Sequence, residues 1–116
     1  MFFADKEGVL RDVCLGCDSL ADYLENPTYF GAVVGRVANR IRDAKFSIGD
    51  QEFEVDLNSA GCQLHGGTKG FNRYVWDFEE VVPGEKVKFS MTSPSGDQGF
   101  PGQVDLSVVY TLTADD

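Results

Sequence analysis

Apolar and polar residues alternate from Lys45 to Val55 in KFSIGDQEFEV, with Phe46 and Ile48 before a Gly49-Asp50 break and Phe53 and Val55 after it. A period of two is that of a strand, and Gly-Asp between two such runs predicts a hairpin. A second hairpin is predicted from Val75 to Thr92. Its first run ends at Val82, Pro83-Gly84 turns the chain, and Val87, Phe89 and Met91 share one face of the return strand. Large side chains occupy both faces of the first run, so that strand is expected to be covered on both sides. The cleanest alternation sets Val104, Leu106, Val108, Tyr110 and Leu112 against Asp105, Ser107 and Thr111, and the chain closes on Asp115-Asp116. SPSGDQGFPG, residues 93 to 102, reads as an irregular loop from its Gly and Pro density. Helical signal is confined to Ser19 to Glu25, where Ser19 can cap a turn bearing Leu20, Tyr23 and Leu24 and Pro27 limits extension.

The pattern predicts an all-β, antiparallel fold, one domain over residues 1 to 116, of sandwich type with large loops. About five strands with unpaired ends close poorly on themselves. The chain is therefore expected either to pair its edges with a partner, self-association included, or to be part of something larger. A hydrophobic fraction of 42%, with nine Phe, four Tyr and one Trp, is that of a folded chain. No apolar run reaches the length of a membrane span. MFFADKEGVL has neither the apolar stretch nor the basic lead of a secretory signal, so the cytoplasm is the expected compartment.

Charge narrows the partners. Nineteen acidic against ten basic residues give a formal charge of -9, which repels nucleic-acid backbone and anionic lipid. The basic cluster Arg36, Arg40 and Arg42 is short and interrupted by apolar residues, so neither nucleic acid nor membrane is expected as a partner. Three cysteines, an odd number, fit reduced thiols better than a disulfide framework. Cys14, Cys17, Cys62 and His65 are an alternative set of tetrahedral zinc ligands. Against it stand the 44 residues between Cys17 and Cys62 and an apolar content that needs no metal to make a core.

Two stretches carry side chains that do not suit a solvent loop: YFGAVVGRVANRI, residues 29 to 41, and LHGGTKGFNRYVW, residues 64 to 76. Arginine presents a planar fork of donors and asparagine both a donor and an acceptor, which together match sugar hydroxyls or carboxylate oxygens. His65, the single histidine, can donate or accept a proton near neutral pH. Gly66 and Gly67 beside it permit close approach of a ligand or another backbone. Phe71, Tyr74 and Trp76 offer apolar walls. Spacing alone also fits simpler roles: His65 as a turn residue, Arg40 as a surface ion-pair residue, Gly99 and Gly102 as shapers of a turn. Glu79 and Glu80 are adjacent on a predicted strand and point to opposite faces, which makes them a poor acid and base pair. No GxSxG, Walker-type loop or HExxH occurs.

GRVANRI, LHGG and SPSGDQGFPG followed by a strand occur in the order and approximate spacing of the aldose 1-epimerase (galactose mutarotase) family, which the chain resembles from about DVCLGCDSLADYL onward. The resemblance implies an antiparallel galactose-mutarotase-like β-sandwich and interconversion of the α and β anomers of free hexoses, with no metal and no organic cofactor. It implies that Asn39 and Arg40 bind the sugar and that His65 lies near the ring oxygen in a supporting catalytic and binding role. The family's principal acid, a second histidine, and its glutamate base have no counterpart motif in these residues. Members of the family are much longer, so the chain is expected to be a segment of such a protein, inactive or incomplete alone, with a non-catalytic sugar-binding β fragment as the alternative.

Overall fold

The computed structural model describes residues 2–25 and 28–113; the Pro27 helix stop and the Asp115-Asp116 end lie outside the described residues. The chain forms two compact units, Met1–Val33 and Val34–Asp116. Among the described residues there are nine strands, all in antiparallel pairs, and one α-helix.

In the first unit, β1 (Phe2–Ala4) pairs with β2 (Leu10–Asp12). Asp5 organises the turn between them by accepting the Glu7 and Val9 N–H groups and the Arg11 Nε. The Val9 N–H, and then the Arg11 guanidinium, hold its carboxyl below the usual aspartate range. The predicted helix is present as α1 (Leu20–Glu25), and Ser19 caps it: its Oγ accepts the Asp22 N–H at 3.2 Å and donates to the Asp22 carboxylate at 2.6 Å.

The second unit holds the remaining strands. β4 (Lys45–Ile48) and β5 (Gln51–Glu54) form the predicted hairpin, with Ile48 opposite Gln51 across Gly49-Asp50 and Gly49 at φ 60°. Phe46 and Phe53 stack at 5.4 Å, and Phe46 also meets Phe100. Phe100 joins Ala44 and Val55 in a small buried cluster that Ile41 flanks. Two strands that alternation does not predict, β3 (Arg40–Arg42) and β6 (Cys62–Leu64), pair so that Arg40 faces Leu64. Each is only three residues long, too short to display a period.

The second hairpin and the last strand form a three-stranded sheet in the order β7-β8-β9, from β7 (Asp77–Val82), β8 (Lys86–Ser93) and β9 (Val104–Thr111). Registration aligns Phe78, Phe89 and Val108 on one face, where Phe89 lies 5.9 Å from Phe78 and 6.1 Å from Tyr110. The opposite face is polar: Lys88 pairs with Glu79 at 2.8 Å, and Thr92 donates to Asp105. The expected double covering of β7 is not met, since all six of its residues are exposed. β7 is one edge of this sheet, and Phe78, 67% exposed, packs along the sheet on Phe89.

Candidate functional site

β3 and β6 bring the two unusual loop stretches together. Just beyond their last ladder pair, Asn39 and His65 both leave the extended region, with φ of 64° and 51°. Asparagine tolerates the left-handed region and histidine visits it more readily than most residues. The His65 N–H donates to the Asn39 carbonyl at 2.9 Å, as in any antiparallel pair. The reciprocal bond is different: the Asn39 N–H donates at 3.0 Å to Nδ1 of the imidazole. The ring therefore takes the place of a backbone carbonyl. Because Nδ1 accepts, the neutral ring carries its proton on Nε2 and donates from that nitrogen. Arg40 Nη1 donates to Asn39 Oδ1 at 3.0 Å. The three residues that the sequence singles out thus form one connected polar group.

The glycines behind His65 are occupied by protein. A methyl on Gly66, at φ 92°, would strike the Gly35 carbonyl, and one on Gly35 would strike the Phe71 ring. One on Gly70 would lie 2.6 Å from the His65 carbonyl oxygen, and one on Gly67 2.7 Å from Gln98 Oε1. Phe71 N–H closes the layer by donating to the Gly35 carbonyl. Of the two roles glycine offered, close approach of another backbone is the one realised at Gly66.

A second network fixes the 93–102 loop against this layer. Arg36 donates four hydrogen bonds, from Nε to Ser93 Oγ, from Nη1 to the Pro101 carbonyl and from Nη2 to the Ser93 and Pro94 carbonyls. The fully buried Ser93 donates in turn to Asp97, whose other carboxylate oxygen accepts the Tyr74 hydroxyl at 2.7 Å. That bond, with burial adding to it, pushes the Tyr74 phenol up to about 12. Gln98, held at φ 51°, accepts the Lys69 N–H on its side chain, while its carbonyl accepts Asp56 N–H and Gln63 Nε2. Gly99 is more than a turn former, since a methyl there would lie 2.6 Å from Val55 Cα.

The aromatic residues offered as site walls have partners within the protein. Phe71 is buried and meets Trp76 edge to face at 6.3 Å, Trp76 donates to the Phe71 carbonyl, and Tyr74 is bound to Asp97. Arg36, grouped by sequence with Arg40 and Arg42 as a basic cluster, is consumed internally. Among the described residues no group of three or more His, Cys, Asp or Glu side chains gathers to hold a metal ion. All three cysteines are free thiols, and Cys62 is buried in β6. The bracing roles of Arg36, Asp97 and Gln98 are not announced by spacing; for Asp97 and Gln98 the one signal is polar residues in a loop unusually rich in glycine.

The family model described as aldose 1-epimerase matches residues 3–116. The galactose mutarotase of Bos taurus is 44% identical over 108 residues, which cover 93% of this chain and 31% of that protein. The aldose 1-epimerase of Haemophilus influenzae is 48% identical over 107 residues, covering 91% of this chain and 30% of its own length. The crystal structure of the GalM/aldose epimerase homologue from C. elegans superposes with a TM-score of 0.86 at 32% identity, over 96% of this chain and 34% of that one. The chain thus spans about a third of the length of the proteins it matches.

Proposed function

The chain belongs to the aldose 1-epimerase family, and from that membership and the geometry around His65 we propose that it carries one wall of a hexose site at which α and β anomers interconvert. The carrying observation is the joining of Asn39, Arg40 and His65 by hydrogen bonds from stretches 26 residues apart. Anomer exchange needs a proton removed from the anomeric hydroxyl and a proton supplied to the ring oxygen, after which the open-chain aldehyde rotates and recloses. The imidazole, locked as the Nε2–H tautomer, suits donation to the ring oxygen. The Arg40 guanidinium and the Asn39 carboxamide suit vicinal hydroxyls. These residues bind, orient and polarise the sugar; the principal acid and base come from the remainder of a full-length family domain.

The test is the decay of optical rotation of freshly dissolved α-galactose, catalysed by a full-length protein that contains this segment. Arg40→Ala is expected to lower kcat/KM by ~10²-fold, the scale for loss of one preorganised charged donor. An unchanged rate would remove Arg40 from the site.

A further inference from the structure

The Leu64–His65 peptide is held at both poles. Its N–H donates to the Asn39 carbonyl at 2.9 Å, across the β3–β6 ladder. Its C=O accepts from Asn58 Nδ2 at 2.8 Å, on the other side of β6, and more weakly from the Gly67 N–H at 3.2 Å. The same Asn58 side chain accepts the Leu64 N–H on Oδ1 at 2.6 Å. The alternation of an antiparallel ladder explains why those two groups are available. Asn39 and His65 occupy a hydrogen-bonded position, so at the next pair, Arg40 opposite Leu64, the Leu64 N–H and C=O point away from β3. Asn58 meets both with one carboxamide, in the single orientation that gives a donor to the carbonyl and an acceptor to the amide. It acts as a one-residue third strand beside β6.

We propose that Asn58 is a positioning residue for His65, acting through the Leu64–His65 peptide to hold the imidazole Nδ1 on the Asn39 amide and so to fix the Nε2–H tautomer presented to the ligand. Fixing that peptide plane fixes the axis about which His65 takes its left-handed φ. From that axis the ring reaches the Asn39 N–H. Neither Asn39 nor Arg40 touches Asn58 through any hydrogen bond described, so its influence runs through the backbone of β6. The importance of His65 to the reaction rests on the function proposed above, whereas the brace itself is a property of this chain.

One histidine in 116 residues gives imidazole 15N signals that need no assignment. In the wild-type 116-residue chain, a 15N–15N coupling across the hydrogen bond from the Asn39 amide to Nδ1 is expected, with two well separated ring-nitrogen shifts. Asn58→Asp is isosteric and keeps the acceptor for the Leu64 N–H, but sets a carboxylate oxygen against the Leu64 carbonyl. Asn58→Leu removes both bonds. Both variants are expected to lose the coupling and to draw the two ring shifts together, with β7, β8 and β9 amide shifts unmoved. Retention of the coupling in either variant overturns the proposal. So does collapse of the sheet signals in both, which would make Asn58 a general fold residue. Arg40→Ala in a full-length protein that contains this segment keeps the two readings apart: an unchanged rate of anomer exchange would refute the site and leave the brace standing.

Discussion

The loop layer around Gly35, Gly66 and Gln98 and the sheet of β7, β8 and β9 are built on opposite plans. The sheet is regular, with eight consecutive register pairs between β8 and β9, yet Phe78, Tyr110 and Val109 stay largely exposed. The loop layer has almost no regular hydrogen bonding, yet Gly35, Gly66, Gly67, Gly70 and Phe71 are all buried. A ladder satisfies its backbone locally and leaves burial to whatever covers its face. An irregular layer must satisfy each backbone group individually, with Arg36, Asn58 and Gln98 side chains substituting for strands. Regularity and tightness are separable here, and the candidate site sits on the tight part.

The sharpest way to break this comparison is to add one methyl to each region. Gly66→Ala places Cβ against the Gly35 carbonyl at φ 92° and is expected to cost about 4 kcal/mol or more, the range of severe core lesions. Gly84→Ala in the β7–β8 turn has φ 72° and nothing within 4 Å, so only backbone strain of about 1 kcal/mol is expected. Equal midpoints in urea denaturation would show that the layer is not tighter than the sheet.

Arg36→Ala removes four hydrogen bonds, one of them to the buried Ser93 hydroxyl, for an expected loss of about 3 kcal/mol in the same measurement. Arg36→Lys should recover little, because an ammonium cannot reproduce the fork. The Tyr74–Asp97 bond adds a pH signature. Its phenol is raised from 10.0 to about 12, so the neutral form is favoured in the fold. That stabilisation is complete below about pH 10 and is lost as pH climbs toward 12. Tyr74→Phe should flatten stability across that window, and an unchanged slope would detach Tyr74 from the network. The smallest effect is expected on the sheet: Phe78→Thr should alter stability by about 0.5 kcal/mol, since the ring meets Phe89 on an exposed face. It should also lower any concentration-dependent association seen by sedimentation, because the apolar face and open edges are the surfaces that invite it.

The same contrast decides what could be read from the residues. The 45–54 hairpin, the Ser19 cap and the β9 alternation are local, each written in fewer than a dozen neighbouring positions. β3 and β6 exist because Asn39 and His65 meet across 26 residues, and nothing periodic announces a three-residue strand. The motif resemblance singles out Asn39, Arg40 and His65, and the structure joins them by hydrogen bonds. Phe71, Tyr74 and Trp76 take partners that no local pattern discloses, because an aromatic side chain does not state which neighbour it will meet. The covering of β7 was misread for a related reason: large residues on two faces state a demand for burial, and the strand's place at the sheet edge leaves that demand unmet by its own sheet.

The imidazole that stands in for a carbonyl changes how a knockout of this site must be designed. His65→Ala would delete the ring and a rung of the β3–β6 ladder together, in a left-handed conformation alanine dislikes, so lost activity would not distinguish chemistry from a frayed backbone. Asparagine tolerates that conformation and carries a carbonyl oxygen on Cγ, where histidine carries Nδ1. His65→Asn can keep the rung through Oδ1 while removing the Nε2 donor, which makes it the cleaner subtraction.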